Sequence, residues 1–288
     1  MPDWLAYPMD ALGAILPFEC LQPRFMRQAL LGLLLLTPIT TVMGIQVVNL
    51  RMAFFSDAIS HSVFAGAALG LMLAIDPHWS TVLLAVMIGV GVTACQRRVA
   101  LSADSIIGVF FSGVAAFGLA AASRDPNVGR NAQSFLYGDV LTLGEGETLL
   151  LAGALVAVTI FQLFGHNRIL YMGLNPALAR VHGVRVGPYQ YIFSILLALT
   201  AVLAVWTVGV FLVTALLVLP AAAARNLAGS AGSMFWWALG ISLVSSVSGL
   251  VVSAQSWAGT ATGPTVVLIA FAFFIISLPA SRILSRKN

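Results

Sequence analysis

Charged side chains are scarce in this sequence. Of its 288 residues, 8% are charged and 60% are hydrophobic, whereas a soluble domain carries about 25% charged residues. So few charges cannot cover a soluble surface with hydrated groups, and the mean hydropathy is +0.99. The composition therefore excludes a soluble globular protein and predicts an integral membrane protein.

Lysine and cysteine are almost absent. Lys287 is the only lysine, so the chain has no phosphate-binding loop of the form GxxxxGK(S/T) and cannot bind a nucleotide in that way. The zinc-protease motif HExxH is missing as well. Cys20 and Cys95 are too few and too far apart for a disulfide framework or a cysteine-ligated metal cluster. The sequence therefore predicts that the chain is not an enzyme.

Positive charge comes almost entirely from arginine, and the net charge is +4. The arginines lie in loops between apolar runs rather than along one face. This pattern is typical of membrane topology signals and lipid headgroup contacts. It does not indicate a nucleic-acid-binding protein.

Apolar runs fill most of the sequence, and each is long enough to cross a hydrocarbon core of about 30 Å as a helix. Residues 189–224 carry no charge but would make one helix of about 54 Å, which is too long for one crossing. We therefore expect a break at Trp206–Gly209, giving a helical hairpin or a span followed by a re-entrant segment. The predicted spans lie near 29–50, 54–75, 79–95, 104–122, 147–165, 189–206, 208–224, 234–254 and 263–280.

These runs predict one all-α transmembrane domain over residues 1–288, with eight or nine helices. Residues 1–24 mix apolar positions with three acids, so this N-terminal segment is expected to lie in the membrane interface. With nine spans and a cytoplasmic C-terminus, ten of the fourteen basic residues are cytoplasmic, as the positive-inside rule requires. The four that remain outside are Arg24, Arg27, Arg124 and Arg130.

Two connections between the runs are longer than a turn. Residues 123–146 are expected outside and residues 165–188 on the cytoplasmic side. In the second connection, Asn175 followed by Pro176 is a favourable helix start, and Gly183 is suited to end the helix. A short helix held between two spans would suit docking onto a partner, although the pattern also fits a plain surface loop.

The stretch SDAISHS at residues 56–62 interrupts the apolar pattern. Asp57 and His61 are four residues apart, which places both side chains on one helix face. If Arg51 marks the cytoplasmic end of this span, Asp57 lies about 9 Å and His61 about 15 Å further in. His61 would then lie near the middle of the membrane.

An ionisable side chain at that depth costs about 3 kcal/mol or more unless it is paired or faces a polar cavity. Asp57 and His61 could simply form a buried ion pair. Alternatively, a carboxylate oxygen and an imidazole nitrogen can bind manganese, zinc or ferrous iron. Two ligands form an incomplete shell, which suits transient binding during passage better than a structural site. Further ligands could come from a second copy of the chain or from Asp139.

Other polar side chains are candidates for the path of a metal ion. Gln46 and Asn49 lie late in the preceding span, and Ser60 flanks the face of Asp57. In the outer connection, Tyr137 shortly precedes Asp139. Asp139 could be a gate residue, but a helix cap or a solvated acid fits the sequence equally well.

Six stretches, in order, resemble the permease subunits of bacterial ATP-binding-cassette (ABC) importers for manganese, zinc and iron. The most specific is LRMAFFSDAISHSVFAGAALG at 50–70, and the resemblance runs from about residue 25 to residue 280. The others are SIIGVFFSGVAAFGL at 105–119, SFLYGDVLTL at 134–143, NPALARVHGVRV at 175–186, VGVFLVTALLVLPAAAARNLA at 208–228 and TATGPTVVL at 260–268.

The resemblance implies the metal-chelate type of ABC importer permease fold and a homodimer in the bacterial inner membrane. It also implies two cytoplasmic ATP-binding subunits and an extracytoplasmic metal-binding protein as partners. Asp57 and His61 would contact the transported metal, and no cofactor would be bound permanently. The segment that couples to the ATPase would include Asn175, Pro176, Ala179, Arg180, His182, Gly183 and Arg185.

The expected function is therefore that of a permease subunit that imports a divalent metal ion, with ATP hydrolysis in a separate chain. The alternative is a secondary transporter that exchanges metal for protons and uses Asp57 and His61 as a proton relay. Such a transporter would need no ATPase.

Overall fold

A computed structural model describes residues 22–124 and 140–285 of the chain. Within these ranges the chain is helical, with no strand, and a short 3₁₀ turn at Val140–Thr142. The helices are α1 (Arg24–Asn49), α2 (Ala53–Met72), α3 (Pro77–Arg98), α4 (Ala103–Arg124), α5 (Glu145–Leu174), α6 (Pro176–Val181), α7 (Val186–Val208), α8 (Val210–Leu227), α9 (Ala231–Ser253) and α10 (Thr262–Ser285).

Among the described helices, eight are long and apolar enough to cross a membrane, and α8 is a shorter apolar helix. The sequence-based prediction of an all-α membrane protein with eight or nine spans is therefore confirmed. Each predicted span corresponds to one of the long helices or to α8. Most of the predicted interfacial segment, residues 1–21, lies outside the described residues.

The predicted break in the long uncharged stretch is present between α7 and α8. Gly209 alone separates the two helices and has φ 83° and ψ 162°, a conformation that a residue with a Cβ rarely adopts. An added Cβ at Gly187, at the start of α7, would meet the guanidinium of Arg97 at the end of α3. Near the other end of α7, the Trp206 ring contacts His78 at the start of α3, with centroids 5.0 Å apart. Helix α7 therefore runs antiparallel to α3.

Helix α8 returns toward the end of the bundle from which α7 starts. The Arg225 guanidinium, in the last turn of α8, donates a hydrogen bond of 3.3 Å to the carbonyl of Val48 near the end of α1. One cavity at this end is lined by both Asn49 of α1 and Gln190 of α7. Of the two alternatives for residues 189–224, the structure therefore shows the helical hairpin rather than a span followed by a re-entrant segment.

The core of the bundle lies where α1, α2, α7 and α8 meet. Phe55 of α2 and Phe193 of α7 are among its largest fully buried side chains. Helix α1 approaches α8 so closely that a Cβ added at Gly44 would overlap the carbonyl of Leu217. Small residues allow such close backbone approach between membrane helices. More than half of the residues in the apolar stretches of α1, α2 and α7 are buried, whereas fewer than a quarter are buried in those of α5 and α10.

Candidate functional site

Among the described residues, every acidic side chain except Asp57 lies at the start of a helix. Asp104 lies in the first turn of α4, and Glu145 and Glu147 lie in the first turn of α5. The partial positive charge of a helix N-terminus stabilises acids at such positions. Asp57 is the fifth residue of α2, beyond its first turn. A different interaction must therefore stabilise this carboxylate.

Asp76, at the turn before α3, also lies at a helix start. Its carboxylate accepts a hydrogen bond of 2.8 Å from the backbone N–H of His78 and thereby caps α3. This backbone hydrogen bond, together with contact with the His78 ring, holds the pKa of Asp76 below its usual value. Asp57 has no comparable backbone donor, since the N–H groups within α2 are used by the helix itself.

Thr214 of α8 supplies the partner that Asp57 needs. Its hydroxyl donates a hydrogen bond of 2.8 Å to Oδ1 of Asp57. A carboxylate has about four lone-pair positions, so this bond leaves Oδ2 and part of Oδ1 available to a ligand. The bond also fixes α2 against α8 at the level of the site.

His61 lies one helical turn from Asp57 on the same face of α2, and both side chains are half-buried. The edge of the His61 ring meets the Phe111 ring of α4 at right angles, with centroids 5.0 Å apart. Asp57 and His61 are not joined by an ion pair, which excludes the buried-pair alternative for this conformation. Within the part of the chain that the structure describes, the His61 ring has no hydrogen-bond partner, so its nitrogens are available to bind a ligand.

Asp57 and His61 line a cavity of about 580 Å³ between α2 and α8. The remaining walls are apolar, apart from Thr214. Small residues hold α2 tightly against the helices behind it: a Cβ added at Gly66 would lie 2.7 Å from the Cα of Thr81 on α3. The face that carries Asp57 and His61 is therefore directed toward α8.

The cavity offers two strong metal ligands from this chain. In residues 22–124 and 140–285, no third histidine, cysteine or acid joins Asp57 and His61. A carboxylate with an imidazole is a donor set that suits manganese, iron and zinc. An incomplete shell leaves positions for water or for groups from another chain.

The structure does not bring Gln46 to this cavity. The Gln46 side chain is fully buried and points toward α5, where its amide nitrogen donates to Gln162 at 3.4 Å and lies 3.5 Å from Nδ1 of His166. Gln162 and His166 are also in contact. His166, which the sequence analysis does not single out, belongs to this polar cluster. The four-residue spacing of Gln162 and His166 on one helix was the available signal.

The other predicted path residues lie in different places. Asn49 lines a separate cavity of about 420 Å³ at the end of α1. The Ser60 hydroxyl is buried with no hydrogen-bond partner among the described residues, and it does not line the Asp57 cavity. Tyr137 and Asp139 lie outside the described residues. The roles of all four in a metal path stay predictions.

The predicted short helix in the second long connection is present as α6. The Asn175 carboxamide oxygen accepts hydrogen bonds from the N–H groups of Ala177 and Leu178, which caps the helix start. Gly183, with φ 76°, ends the turn, and the N–H of Val184 bonds to the carbonyl of Ala179 at 3.0 Å.

Helix α6 is anchored by Ala179, whereas the side chains described from Ala177 to Val181 are otherwise exposed. Ala179 is fully buried, whereas Val181 is 83% exposed. Arg180, His182 and Arg185 are exposed as well. The arrangement presents a compact apolar and basic surface between α5 and α7, which includes Arg180, His182 and Arg185 of the predicted coupling segment but not the buried Ala179.

Thr214 is a site residue that sequence reasoning did not single out. It lies within the stretch VGVFLVTALLVLPAAAARNLA, which was matched as a whole. Thr214 is the only side chain between residues 208 and 224 that can form a hydrogen bond. A lone hydroxyl in an apolar span is a weak signal by itself, because such hydroxyls commonly bond to the preceding turn of their own helix.

The family model of the ABC 3 transport family matches residues 22–281. The chain belongs to the ABC 3 transport family. This match includes α2 and α8, which carry Asp57, His61 and Thr214. It confirms the family resemblance that the ordered sequence stretches indicated.

Curated relatives extend over nearly the whole chain. The high-affinity zinc uptake system membrane protein ZnuB of Haemophilus influenzae is 31% identical over 261 residues, which cover 91% of this chain and 97% of ZnuB. The manganese import system permease protein ScaB of Streptococcus parasanguinis is 28% identical, with 89% of this chain and 90% of ScaB covered.

A solved structure has the same fold. PsaBC from Streptococcus pneumoniae, in complex with Fab, superimposes with a TM-score of 0.77 at 27% identity. The match covers 99% of this chain and 100% of that chain. The architecture of an ABC importer permease, expected from the sequence, is thereby confirmed.

If the hydrogen bond from Thr214 orients Asp57 as a metal ligand, removing this bond should lower the affinity for the metal. We expect Thr214→Val to weaken binding of Mn²⁺ or Zn²⁺ by about 10- to 100-fold, since residues that orient metal ligands contribute this much. Thr214→Ser keeps the hydroxyl and is expected to bind close to normally. Calorimetric titration of the purified proteins measures both, and a Val variant with unchanged affinity would show that the bond does not orient Asp57.

Proposed function

We propose that this chain is the membrane-spanning permease subunit of an ATP-driven importer for a divalent transition metal ion, manganese or zinc. The observation that carries the proposal is the pair of Asp57 and His61 on one face of α2, beside a cavity with otherwise apolar walls. Membership of the ABC 3 transport family and the names of the zinc and manganese relatives support it.

The transported ion is the substrate of the site rather than a resident cofactor. A free His61 nitrogen and the carboxylate of Asp57 would replace part of the hydration shell of the ion. Thr214 would hold the carboxylate in position while the ion is bound. Because two protein ligands bind a divalent ion less firmly than the four of a closed structural site, the ion can move on when the cavity changes shape.

A second copy of the chain would complete the site. The cavity edge carries apolar side chains, among them Phe54, which is 61% exposed. A twofold axis beside this face would bring two copies of Asp57 and His61 together, since such an interface uses the same patch from both subunits. Two carboxylates and two imidazoles then give four ligands, a common number for zinc.

The basic residues support an orientation with α6 in the cytoplasm. Ten of the fourteen then face inward, in agreement with the positive-inside rule. The C-terminus would be cytoplasmic and the membrane would be the bacterial inner membrane. At the outer face, an extracytoplasmic metal-binding protein would deliver the ion.

Two ATP-binding subunits would supply the energy, because this chain has no phosphate-binding loop of its own. We propose that each contacts the segment Asn175–Val186 of one protomer. The segment is held between α5 and α7 and exposes Leu178 and Val181 beside Arg180. A cleft on the ATPase could accept this surface, and its closure would push on both helices.

Removal of either proposed metal ligand is expected to abolish transport. We expect Asp57→Ala and His61→Ala to lower ATP-dependent uptake of Mn²⁺ or Zn²⁺ into proteoliposomes at least tenfold while membrane insertion stays normal, since each variant loses one ligand. Asp104→Ala is the control, because Asp104 is an exposed acid at a helix start. Normal uptake by either ligand variant would rule out the assigned site.

Charge reversal on α6 tests the coupling surface. We expect Arg180→Glu to leave ATP hydrolysis but to uncouple it from uptake, because the exposed arginine would no longer match an ATPase surface. Arg98→Glu serves as a control at the same end of the bundle, since Arg98 is also exposed. The ratio of metal transported to ATP hydrolysed measures the effect. An unchanged ratio for Arg180→Glu would place the contact elsewhere.

A further inference from the structure

A groove of about 950 Å³ runs between α5 and α7 on the periphery of the helix bundle. It lies apart from the Asp57 cavity and shares no lining residue with it. Its walls are mostly apolar and open sideways, since Phe164 is 75% exposed and Ile160 is 51% exposed. The apolar side chains that form the walls include Ile160, Phe161, Phe164, Ile192 and Leu196.

One end of this groove is basic. Arg168 of α5 and Arg185, which precedes α7, line it together with His182. The Arg168 guanidinium lies over the Tyr189 ring, 5.1 Å from its centroid, and this cation–π contact limits the positions of the charge. Among the residues that the structure describes, neither arginine forms an ion pair with a carboxylate. The groove therefore has two positive charges without a negative partner.

The length of α5 places Arg168 at the level expected for lipid headgroups. Helix α5 has 30 residues and is about 45 Å long, so it extends beyond a hydrocarbon core of about 30 Å. If Glu147, near the start of α5, marks one interface, the other lies about twenty residues further along. That position is next to Arg168. The groove then follows α5 back to Ala157, a length of about 16 Å, which is close to the thickness of one leaflet.

We propose that this groove binds an anionic phospholipid, with the phosphate between Arg168 and Arg185 and an acyl chain along Phe164, Ile192 and Leu196. Basic pockets between membrane helices attract such headgroups. The sideways opening favours a lipid over a soluble protein, and the apolar walls favour it over free phosphate. The proposal rests on the proposed function for its leaflet, which is the cytoplasmic one if α6 faces the ATPase, and for any effect of the lipid on the ATPase contact.

The bound lipid would connect the membrane to the coupling segment. Arg185 and His182 belong to that segment, whereas Arg168 belongs to α5. A phosphate bridging Arg168 and Arg185 would therefore fix the position of α6 relative to α5. Anionic lipid becomes a partner that orders the surface proposed to contact the ATPase.

Direct binding to the purified permease tests the proposal without metal or ATPase. Native mass spectrometry in neutral detergent compares dioleoyl phosphatidylglycerol with dioleoyl phosphatidylcholine. We expect phosphatidylglycerol to bind more tightly, and Arg168→Gln to weaken it about fivefold, the effect of one basic residue near a headgroup. Arg168→Gln combined with Arg185→Gln is expected to weaken it about 25-fold. Arg98→Gln, outside the groove, should bind like the unchanged protein.

A second variant separates the lipid chain from the phosphate. Ile192→Trp fills the groove but keeps both arginines, so we expect it to weaken phosphatidylglycerol binding as well. Glycerol phosphate, which has the headgroup charge without chains, should not compete at equal concentration.

Several results would overturn the proposal. Equal binding of the two lipids, unchanged binding by Ile192→Trp, or equal loss in Arg98→Gln would each do so. Effective competition by glycerol phosphate would point to a soluble phosphate instead. If Arg168→Gln kept normal lipid binding but lost the ATPase in a pull-down, the arginine would belong to the protein contact. Apart from the ATPase pull-down, none of these readouts depends on metal transport or on an ATPase, so they remain valid if the importer hypothesis fails.

Discussion

The hydrogen bond between Thr214 and Asp57 joins α2 to α8 where an acid lies inside the membrane bundle. A carboxylate in hydrocarbon is costly unless the protein compensates it. The other described acids avoid this cost at helix starts, where the backbone supplies N–H groups. Asp57 lies beyond the first turn of α2 and has no such N–H group available. The α7–α8 hairpin instead places the hydroxyl of Thr214 opposite it. The hairpin in turn depends on Gly209, whose φ of 83° allows α8 to begin directly after α7.

The same requirement distinguishes the candidate metal site from the other polar clusters among the described residues. The amide nitrogen of Gln46 contacts Gln162 and His166 between α1 and α5, and its buried carboxamide oxygen does not line the cavity of Asp57. The hydroxyl of Thr37 similarly bonds to the carbonyl of Leu33 in the preceding turn, at 2.6 Å. Asp57 and His61 differ, because their remaining lone pairs face an open cavity. Availability to a ligand, rather than polarity alone, distinguishes the site.

Much of this arrangement could be predicted from the sequence because the membrane imposes strong local rules. Apolar run length located every span, and the uncharged stretch of residues 189–224 required a break near Gly209. The spacing of Asp57 and His61 placed both on one face. Contacts between helices that are distant in the sequence could not be derived in this way. Thr214 is separated from Asp57 by 157 positions. Gln46 was predicted to lie on the metal path, but its amide nitrogen contacts α5. Only packing shows which side of α1 meets α5.

Anomalous diffraction from permease crystals soaked in Mn²⁺ or Zn²⁺ tests the central claim most directly, since it locates the metal itself. We predict a peak in the cavity between α2 and α8, which for Zn²⁺ lies about 2.0–2.2 Å from a carboxylate oxygen of Asp57 and a ring nitrogen of His61. The peak should disappear in His61→Ala crystals. A metal peak elsewhere in the membrane region, with nothing bound between Asp57 and His61, would contradict it.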